Sequence, residues 1–251
     1  MISFDFTGKV VVVTGGRRGI GRALIQAFAK YGASVAVIAK SEDDDGLLES
    51  LVHYEIKSRY YAMDILDRTT RGNLVERIIS DFAKIDILIN NAGFQSCASV
   101  FDYGLERWDM DIELMLTAVF DISVQTARFM RDNMGGKIVN IASTSSFQGA
   151  RNIVGYSTAK HGLVGLTKCL SNELAAYGIN VNAVAPGIVE TDMASGVFND
   201  PVKYGELSGR IPAGRFATTD DIVPPVLFLA SEESRFIHGH TLLVDGGWMG
   251  R

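Results

Sequence analysis

The chain has 251 residues, 47% of them hydrophobic, with a formal net charge of −5 and an isoelectric point near 5.4. This acidic balance argues against nucleic acid and anionic membrane surfaces as partners, and no apolar run reaches the roughly 20 residues of a membrane-spanning helix. Because no repeat, low-complexity tract or Pro/Gly/Ser-rich linker divides the chain, we expect one domain over residues 1–251, built on one large core.

Cysteine and histidine usage gives no sign of a metal or disulfide site. Cys97 and Cys169 form neither a disulfide framework nor a metal-ligand spacing. His238 and His240 are accompanied by no further ligand cluster, so no metal is predicted. The N-terminus lacks the basic and apolar regions of a signal peptide, and a cytoplasmic location is expected.

A β-branched run at residues 9–14 predicts a buried parallel strand, followed by Gly15-Gly-Arg-Arg-Gly-Ile-Gly21 and a helical pattern. Strand, glycine-rich turn and helix together favour a pyrophosphate site, because glycine allows close backbone approach and the helix N-terminus offers free N–H groups. A purely structural turn is the alternative. The candidate cofactor residues in this segment are Gly15, Arg17, Arg18, Gly19, Ile20 and Gly21.

The predicted second strand, Ser34–Ala39, ends where the adenosine ribose is recognised. An acidic residue there would bind the 2′-hydroxyl of NAD, but Lys40 follows instead. With Arg17 or Arg18, Lys40 could hold a 2′-phosphate, so NADP(H) is favoured and NAD(H) remains possible. The acidic run at residues 42–45 would oppose this if it folded back; a solvated helix start is the preferred interpretation.

Further strands are predicted at residues 59–63 and 86–90. Asp64, with Ile65 beside it, could accept a hydrogen bond from an adenine amino group or cap the next helix. Asn91, Ala92 and Gly93 follow the fourth strand, where small residues allow a flat cofactor ring to approach; turn chemistry alone is the alternative.

The second half continues the alternation of helices and strands. A long helix is predicted at residues 105–131, strands at 137–142, 179–185 and 241–244, and helices at 155–177 and 219–229, the last kinked or broken at Pro224-Pro225. An irregular region spans residues 186–215. The sequence therefore predicts an α/β fold, a doubly wound, mostly parallel seven-stranded sheet with helices on both faces.

The candidate chemistry lies in Tyr156 and Lys160, which are four residues apart and share one helix face. A phenol has a pKa of about 10, and a neighbouring ammonium lowers it towards the range where acid–base catalysis is efficient. Ser143, at a predicted strand tip, could direct its hydroxyl at a substrate carbonyl. A solvated helix edge is the alternative for the pair, but the glycine loop and three other strand ends are predicted on the same sheet edge.

With these residues the chain resembles the short-chain dehydrogenase/reductase family over nearly its whole length. The matching segments are Thr14-Gly-Gly-Arg-Arg-Gly-Ile-Gly21, Asn90-Asn-Ala-Gly93, Ser143, Tyr156-Ser-Thr-Ala-Lys160 and Pro186-Gly187 with Ile188 and Thr191. The resemblance implies a Rossmann-like fold, hydride transfer between NAD(P)H and a carbonyl or alcohol, and a homotetramer. It also implies that Tyr156 is the proton donor or acceptor, that Lys160 lowers its pKa and holds the ribose, and that Ser143 polarises the substrate oxygen.

Within the family, several segments resemble sugar-acid members of the 2-keto-3-deoxygluconate and gluconate 5-dehydrogenase type. They are Ser146-Phe-Gln-Gly149, residues 180–187, Ile211-Pro-Ala-Gly-Arg215 and the ending Val244-Asp-Gly-Gly-Trp-Met-Gly-Arg251. Residues 193–215 are expected to close over the substrate. Ser143, Ser145, Arg151 and Gly187 are candidate substrate contacts, with surface packing as the alternative for Arg151.

Two other functions stay open. The glycine loop and the NADP preference also suit a 3-oxoacyl-thioester reductase. The third possibility follows from Met115, which stands seven residues after Trp108, where family members usually carry an Asn that helps to hold a water beside the catalytic Lys. A thioether cannot donate a hydrogen bond, so either a backbone carbonyl holds that water, or the chain binds the cofactor with little turnover.

Overall fold

Seven parallel strands form one sheet, in the order β3-β2-β1-β4-β5-β6-β7, in this computed structural model, which describes residues 4–133 and 135–250. Residues 1–3, within the N-terminal stretch discussed above, and Arg251, the end of the last motif, lie outside the described residues. The strands are β1 (Val10–Thr14), β2 (Ser34–Ala39), β3 (Ser58–Ala62), β4 (Ile87–Asn90), β5 (Gly136–Ile141), β6 (Ile179–Pro186) and β7 (Thr241–Val244).

Helices cover both faces of this sheet. They are α1 (Gly19–Lys30), α2 (Arg68–Gly72), α3 (Leu74–Phe82), α4 (Leu105–Ile112), α5 (Ala118–Asp132), α6 (Val154–Leu174), α7 (Ser195–Phe198), α8 (Pro201–Ser208) and α9 (Thr219–Ala230). Alternate residues of β1 pack into different cores, since Val11 and Val13 belong to one cluster and Val10 and Val12 to the other. The predicted doubly wound fold is confirmed, and every observed strand pair is parallel.

Three predictions about helices need correction. The long helix at residues 105–131 is interrupted by a π-helical stretch, Glu113–Thr117, between α4 and α5. The supposedly irregular region contains α7 and α8, and Asp200 caps α8 by accepting from the backbone N–H groups of Val202 and Lys203. Asp200-Pro201, an N-cap followed by proline at the first helical position, was the sequence signal for this helix.

The third correction concerns Pro224 and Pro225, which do not break α9; the helix runs from Thr219 to Ala230. The N–H groups that these prolines lack would have paired with the carbonyls of residues 220 and 221, near the helix start, where water can replace them. The capping box between Thr218 and Asp221 holds this first turn.

The carboxyl ends of the strands define the functional edge of the sheet. From β1 the chain goes outward through β2 and β3, then returns to the other side of β1 as β4, so the strand order reverses between β1 and β4. Open parallel sheets bind ligands at such a point. None of the described helices has the length and apolar character needed to span a bilayer.

Candidate active site

The turn between β1 and α1 closes only because of its glycines. Gly15 and Gly19 have φ angles of +66° and +54°, and a Cβ on Gly21 would lie 2.2 Å from the carbonyl oxygen of Gly15. Thr191 borders the same turn, since its Cγ2 would be 3.3 Å from a Cβ on Gly19. A tight glycine turn leading into a helix N-terminus without a side-chain cap fits a dinucleotide pyrophosphate.

Asn91 holds this turn from the adjacent strand end. Its side-chain nitrogen donates to the carbonyl oxygens of Thr14 and Gly15, both at 3.0 Å. The backbone N–H groups of Asn91 and Ala92 both donate to the hydroxyl of Thr14, also at 3.0 Å. The segment predicted to flank the cofactor therefore also fixes the shape of the glycine loop.

The three basic side chains predicted near a 2′-phosphate all have carboxylate neighbours. Lys40 Nζ lies 2.8 Å from Asp64 Oδ2, Arg17 Nε lies 3.0 Å from Asp45 Oδ2, and Arg18 Nη1 lies 3.6 Å from Asp192. Asp64 also accepts from the backbone N–H of Leu66. The neighbouring candidate Ile65 is buried, and its carbonyl accepts from Arg71 Nη1 at 2.6 Å.

The acidic run at residues 42–45 is not simply a solvated helix start. Asp45 folds back onto Arg17, and Asp43 accepts from the backbone N–H groups of Leu47 and Leu48 at 2.8 and 2.9 Å. The prediction failed because the partner of Asp45 lies 28 residues away in sequence. A carboxylate therefore stands beside one of the expected phosphate ligands.

Ser143, Tyr156 and Lys160 meet where β5 ends and α6 begins. The backbone N–H of Ser145 donates to Ser143 Oγ at 3.0 Å, which fixes the serine hydroxyl. Lys160 Nζ lies 5.8 Å from the centre of the Tyr156 ring and donates to the carbonyl oxygen of Ile141 at 2.6 Å. The helical spacing predicted for the pair is thus observed.

The protonation of this pair differs from the expectation. Burial raises the pKa of Tyr156, and a hydrogen bond with Ser143 opposes that rise only in part. Burial also lowers the pKa of Lys160 to about 8. The expected lowering of the tyrosine pKa by its lysine neighbour is not produced, because desolvation disfavours the charged form of both groups.

A cavity of about 1010 Å³ joins most of the predicted site. The predicted residues that line it are Ile20, Asn91, Gly93, Ser143, Ser145, Arg151, Tyr156, Lys160, Pro186, Gly187, Ile188 and Thr191. The segment of residues 193–215 contributes part of the lining, as does Phe216. Phe198 and Tyr204, outside the lining, each pack against Phe216 with ring centres 5.0 Å apart. The other predicted residues, including Gly15, Arg17, Lys40, Asp64 and Ala92, lie outside this lining.

Sequence reasoning missed a buried polar cluster beneath α6. Asp111 is fully buried in α4, accepts from Ser96 Oγ at 2.9 Å, and is hydrogen-bonded to the hydroxyl of Tyr103. A Cβ on Gly155 would lie 2.4 Å from Asp111 Oδ2, so the carboxylate sits against the residue before Tyr156. The sequence signal was an acidic residue on the apolar stripe that also contains Trp108.

Met115 is fully buried and lies in the π-helical stretch. A Cβ on Gly93 would lie 3.5 Å from Met115 Sδ and 3.9 Å from Lys160 Nζ. The thioether therefore stands next to the pocket that holds the lysine ammonium, and π-helical turns are often found at functional sites.

The fold and this arrangement of side chains define an oxidoreductase that uses a nicotinamide dinucleotide. A family model described as enoyl-(acyl carrier protein) reductase matches residues 15–249. The chain belongs to the short-chain dehydrogenase/reductase family, which confirms the resemblance stated from its motifs. As a member of this family it is an NAD(P)-dependent enzyme that acts on alcohol or carbonyl groups.

Relatives cover nearly the whole chain. The 2-dehydro-3-deoxy-D-gluconate 5-dehydrogenase of Pseudoalteromonas atlantica is 38% identical, with 99% of this chain and 98% of the relative covered. The 3-oxoacyl-[acyl-carrier-protein] reductase of Escherichia coli is 36% identical, with coverages of 97% and 98%. The crystal structure of a gluconate 5-dehydrogenase from Burkholderia cenocepacia, in complex with NADP and tartrate, superposes with a TM-score of 0.94 at 30% identity, over 99% and 98% of the two chains.

Proposed function

We propose that this protein interconverts a secondary alcohol and a ketone on a sugar acid, with NADP(H) favoured over NAD(H). The observation that carries the proposal is the meeting of Ser143, Tyr156 and Lys160 on one wall of the cavity. The sugar-acid class is supported by the Pseudoalteromonas relative and by the tartrate, a hydroxy acid, in the Burkholderia structure.

In this proposal Tyr156 moves the proton. Its raised pKa keeps the phenol protonated at neutral pH, which suits donation to the oxygen of a ketone as that oxygen becomes an alcohol. Ser143 donates a second hydrogen bond to the same oxygen and stabilises the negative charge that develops there. When bound, the nicotinamide ring supplies or accepts the hydride at the substrate carbon.

Lys160 and the strand-end loops hold and orient the cofactor in this proposal. The ammonium of Lys160 would donate to ribose hydroxyls, while the turn of Gly15, Gly19 and Gly21 would receive the pyrophosphate. Arg17 and Lys40 would bind the 2′-phosphate, with Asp64 beside the adenine. Pro186, Gly187, Ile188 and Thr191 would border the nicotinamide, and residues 193–215 would cover the substrate.

We further propose a cytoplasmic homotetramer. Exposed apolar side chains support an oligomer: Phe101, just before α4, and Leu105, its first residue, are 94% and 79% exposed, and Phe236, before β7, is 96% exposed. Large apolar side chains with this exposure are commonly covered at subunit interfaces. Light scattering coupled to gel filtration tests this, and a monomer at micromolar concentration would refute it.

The decisive experiment combines cofactor titration with a substrate panel. NADPH and NADH are titrated by fluorescence, and turnover is followed by nicotinamide absorbance with D-gluconate, its keto derivatives, neutral sugars and an acetoacetyl thioester. Tyr156→Phe should abolish turnover, whereas Tyr177→Phe, an exposed tyrosine just after the same helix, should not. Turnover on no sugar acid would refute the proposed substrate class.

The same panel tests the second candidate, a 3-oxoacyl-thioester reductase, which is favoured by the 36% identity to the Escherichia coli enzyme. A thioester preferred over every sugar acid would select it. Tight cofactor binding without turnover on any substrate would select the third candidate, a binding protein impaired at Met115.

A further inference from the structure

Five basic side chains line the cavity: Arg151, Lys160, Lys203, Arg210 and Arg215. Two of them are neutralised by nearby carboxylates. Arg215 forms a bidentate pair with Asp221, at 2.7 and 2.8 Å, and Lys203 lies 3.2 Å from Asp200. Arg151 and Arg210 form no ion pair with any carboxylate in residues 4–133 and 135–250. In a chain of net charge −5, two uncompensated arginines on a catalytic cavity indicate an anionic ligand.

Arg210 differs from Arg151 because its guanidinium is held in place. The guanidinium carbon lies 4.5 Å from the centre of the Trp248 ring. Stacking on an aromatic face leaves the N–H groups at the edge of the guanidinium plane available to a ligand. Both arginines are exposed, but Arg151 has no hydrogen bond or ring contact to the described part of the chain that would fix its direction.

The two segments that carry Arg210 and Trp248 are joined by backbone contacts. The N–H of Ala213 donates to the carbonyl of Gly246 at 2.9 Å, and a Cβ on Gly246 would lie 2.7 Å from Ile211 Cγ2. Asp245 fixes the turn before and around Trp248 by accepting from the backbone N–H groups of Gly247 and Met249 at 2.9 Å. The stacked pair is therefore built into the wall of the cavity.

We propose that Arg210, positioned by Trp248, binds the carboxylate of the substrate and makes the enzyme prefer sugar acids over neutral polyols. This inference rests on the proposed function and assigns its specificity to one side chain. A guanidinium matches a carboxylate with two parallel N–H···O bonds. That pair fixes one end of an open-chain substrate, so that a hydroxyl further along the chain reaches Ser143 and Tyr156.

The test compares D-gluconate with D-glucitol, which has the same carbon chain with a CH₂OH group in place of the carboxylate. Binding of D-gluconate to the NADPH-saturated protein, which contains no hydride acceptor, is measured by calorimetry, and kcat/KM is measured for both compounds. The variants are Arg210→Gln, which removes the charge, and Arg210→Lys, which keeps the charge but loses the planar fork. Arg131→Gln is the matched control, because Arg131 is exposed, pairs with Asp132 and lies outside the cavity lining.

Arg210→Gln should weaken D-gluconate binding by about 10- to 100-fold, the range for a lost hydrogen bond to a charged group, and should reduce the gluconate-to-glucitol ratio of kcat/KM by a similar factor. Arg210→Lys should fall between Gln and wild type, and Arg131→Gln should match wild type. An equal loss with both compounds, or no binding of D-gluconate by the wild type, would overturn the proposal. If D-gluconate bound in an Arg210-dependent way without turnover, the sugar-acid dehydrogenase function would be refuted. The assignment of Arg210 to a carboxylate would then still stand.

Discussion

The ammonium nitrogen of Lys160 lies 2.6 Å from the backbone carbonyl oxygen of Ile141, which ties α6 to the last residue of β5. Lys160 is only 5% exposed, and burial lowers its pKa to about 8. Within residues 4–133 and 135–250 this carbonyl is the one acceptor that its ammonium contacts, which leaves two N–H groups for a ligand. Burial of the Lys160 ammonium, with N–H groups left for a ligand, therefore lowers the stability of the folded chain.

That cost predicts that Lys160→Met raises the free energy of unfolding by an amount that depends on pH. The folded-state pKa of about 8 lies below the ordinary lysine pKa of 10.5, so the unfolded chain holds the proton more tightly. The free energy of unfolding of the wild type must then rise between about pH 8 and 10.5. Lys160→Met should be inactive. Its free energy of unfolding should exceed that of the wild type at pH 7, and this difference should be smaller at pH 10.

Urea unfolding at pH 7, 8.5 and 10 measures this difference. Lys168→Met is the control, because Lys168 is an exposed lysine on the same helix. A Lys160→Met variant that is less stable than wild type at pH 7 would show that the bond to Ile141 outweighs the desolvation of the charge.

Met115→Asn should raise the turnover number if proton relay through Lys160 limits the rate. The side chain is fully buried next to Gly93, so an amide at this position would lie near the ammonium and could hold a water there. The same amide is expected to cost roughly 1–3 kcal/mol of stability wherever it is left unpaired. Single-turnover and steady-state rates should be compared in variants that fold.

Met115→Leu is the matched control, since it keeps an apolar side chain and offers no hydrogen bond. It should leave the rate unchanged. An unchanged or lower rate in folded Met115→Asn would mean that the methionine does not limit proton transfer.

The ion pair between Arg17 and Asp45 predicts that Asp45 weakens the binding of NADP. Asp45 competes with a 2′-phosphate for the guanidinium, at an N–O distance of 3.0 Å. Both side chains are partly exposed, and such pairs are worth about 0.2–1 kcal/mol. Asp45→Asn should therefore tighten NADP binding by about two- to fivefold and leave NAD binding nearly unchanged.

Fluorescence titration at two salt concentrations checks this prediction, and the gain should shrink at the higher one. Glu42→Gln removes the same charge from the acidic run without touching the Arg17–Asp45 pair, and should have a smaller effect. Equal gains from both variants would point to the general charge of the run, and equal gains for NADP and NAD would exclude competition at the 2′-phosphate.

The sequence was sufficient where local pattern determines structure. The β-branched run of β1, its glycine turn and the Tyr156–Lys160 spacing all follow from periodicity and glycine placement, and the observed strands differ from the predicted ones only at their ends. The sequence was insufficient where an interaction depends on residues that are distant along the chain. The pairing of Asp45 with Arg17 depends on a tertiary contact between distant segments, and the direction of the Tyr156 pKa depends on burial. Neither is contained in a local pattern.

The cluster around Asp111 shows the same limit in the core. An acidic residue on an apolar stripe signals something unusual, but its partners Ser96 and Tyr103 lie in the loop between β4 and α4, 15 and 8 residues earlier. The positions of these partners depend on how the loop after β4 packs, which no periodic pattern specifies. The π-helical stretch at Glu113–Thr117 likewise contains no glycine or proline from which it could be predicted.

The close approach of Asp111 to Gly155 predicts that Gly155→Ala disturbs the candidate active site. A Cβ there would lie 2.4 Å from Asp111 Oδ2 and 2.7 Å from the hydroxyl of Tyr103, so the first turn of α6 has to move. Overpacking of this kind costs typically about 1–3 kcal/mol. Because Tyr156 is the next residue, kcat should fall more than cofactor affinity does.

Gly165→Ala, in the same helix, supplies the matched control. A Cβ on Gly165 meets no described atom within 4 Å, and replacing a helical glycine by alanine is worth roughly 0.5–1 kcal/mol of added stability. The unfolding temperatures of the two variants should therefore change in opposite directions, and kcat should fall in Gly155→Ala alone. A Gly155→Ala enzyme with wild-type kcat and unfolding temperature would show that Asp111 shifts without moving Tyr156, and the buried carboxylate would then have no part in positioning Tyr156.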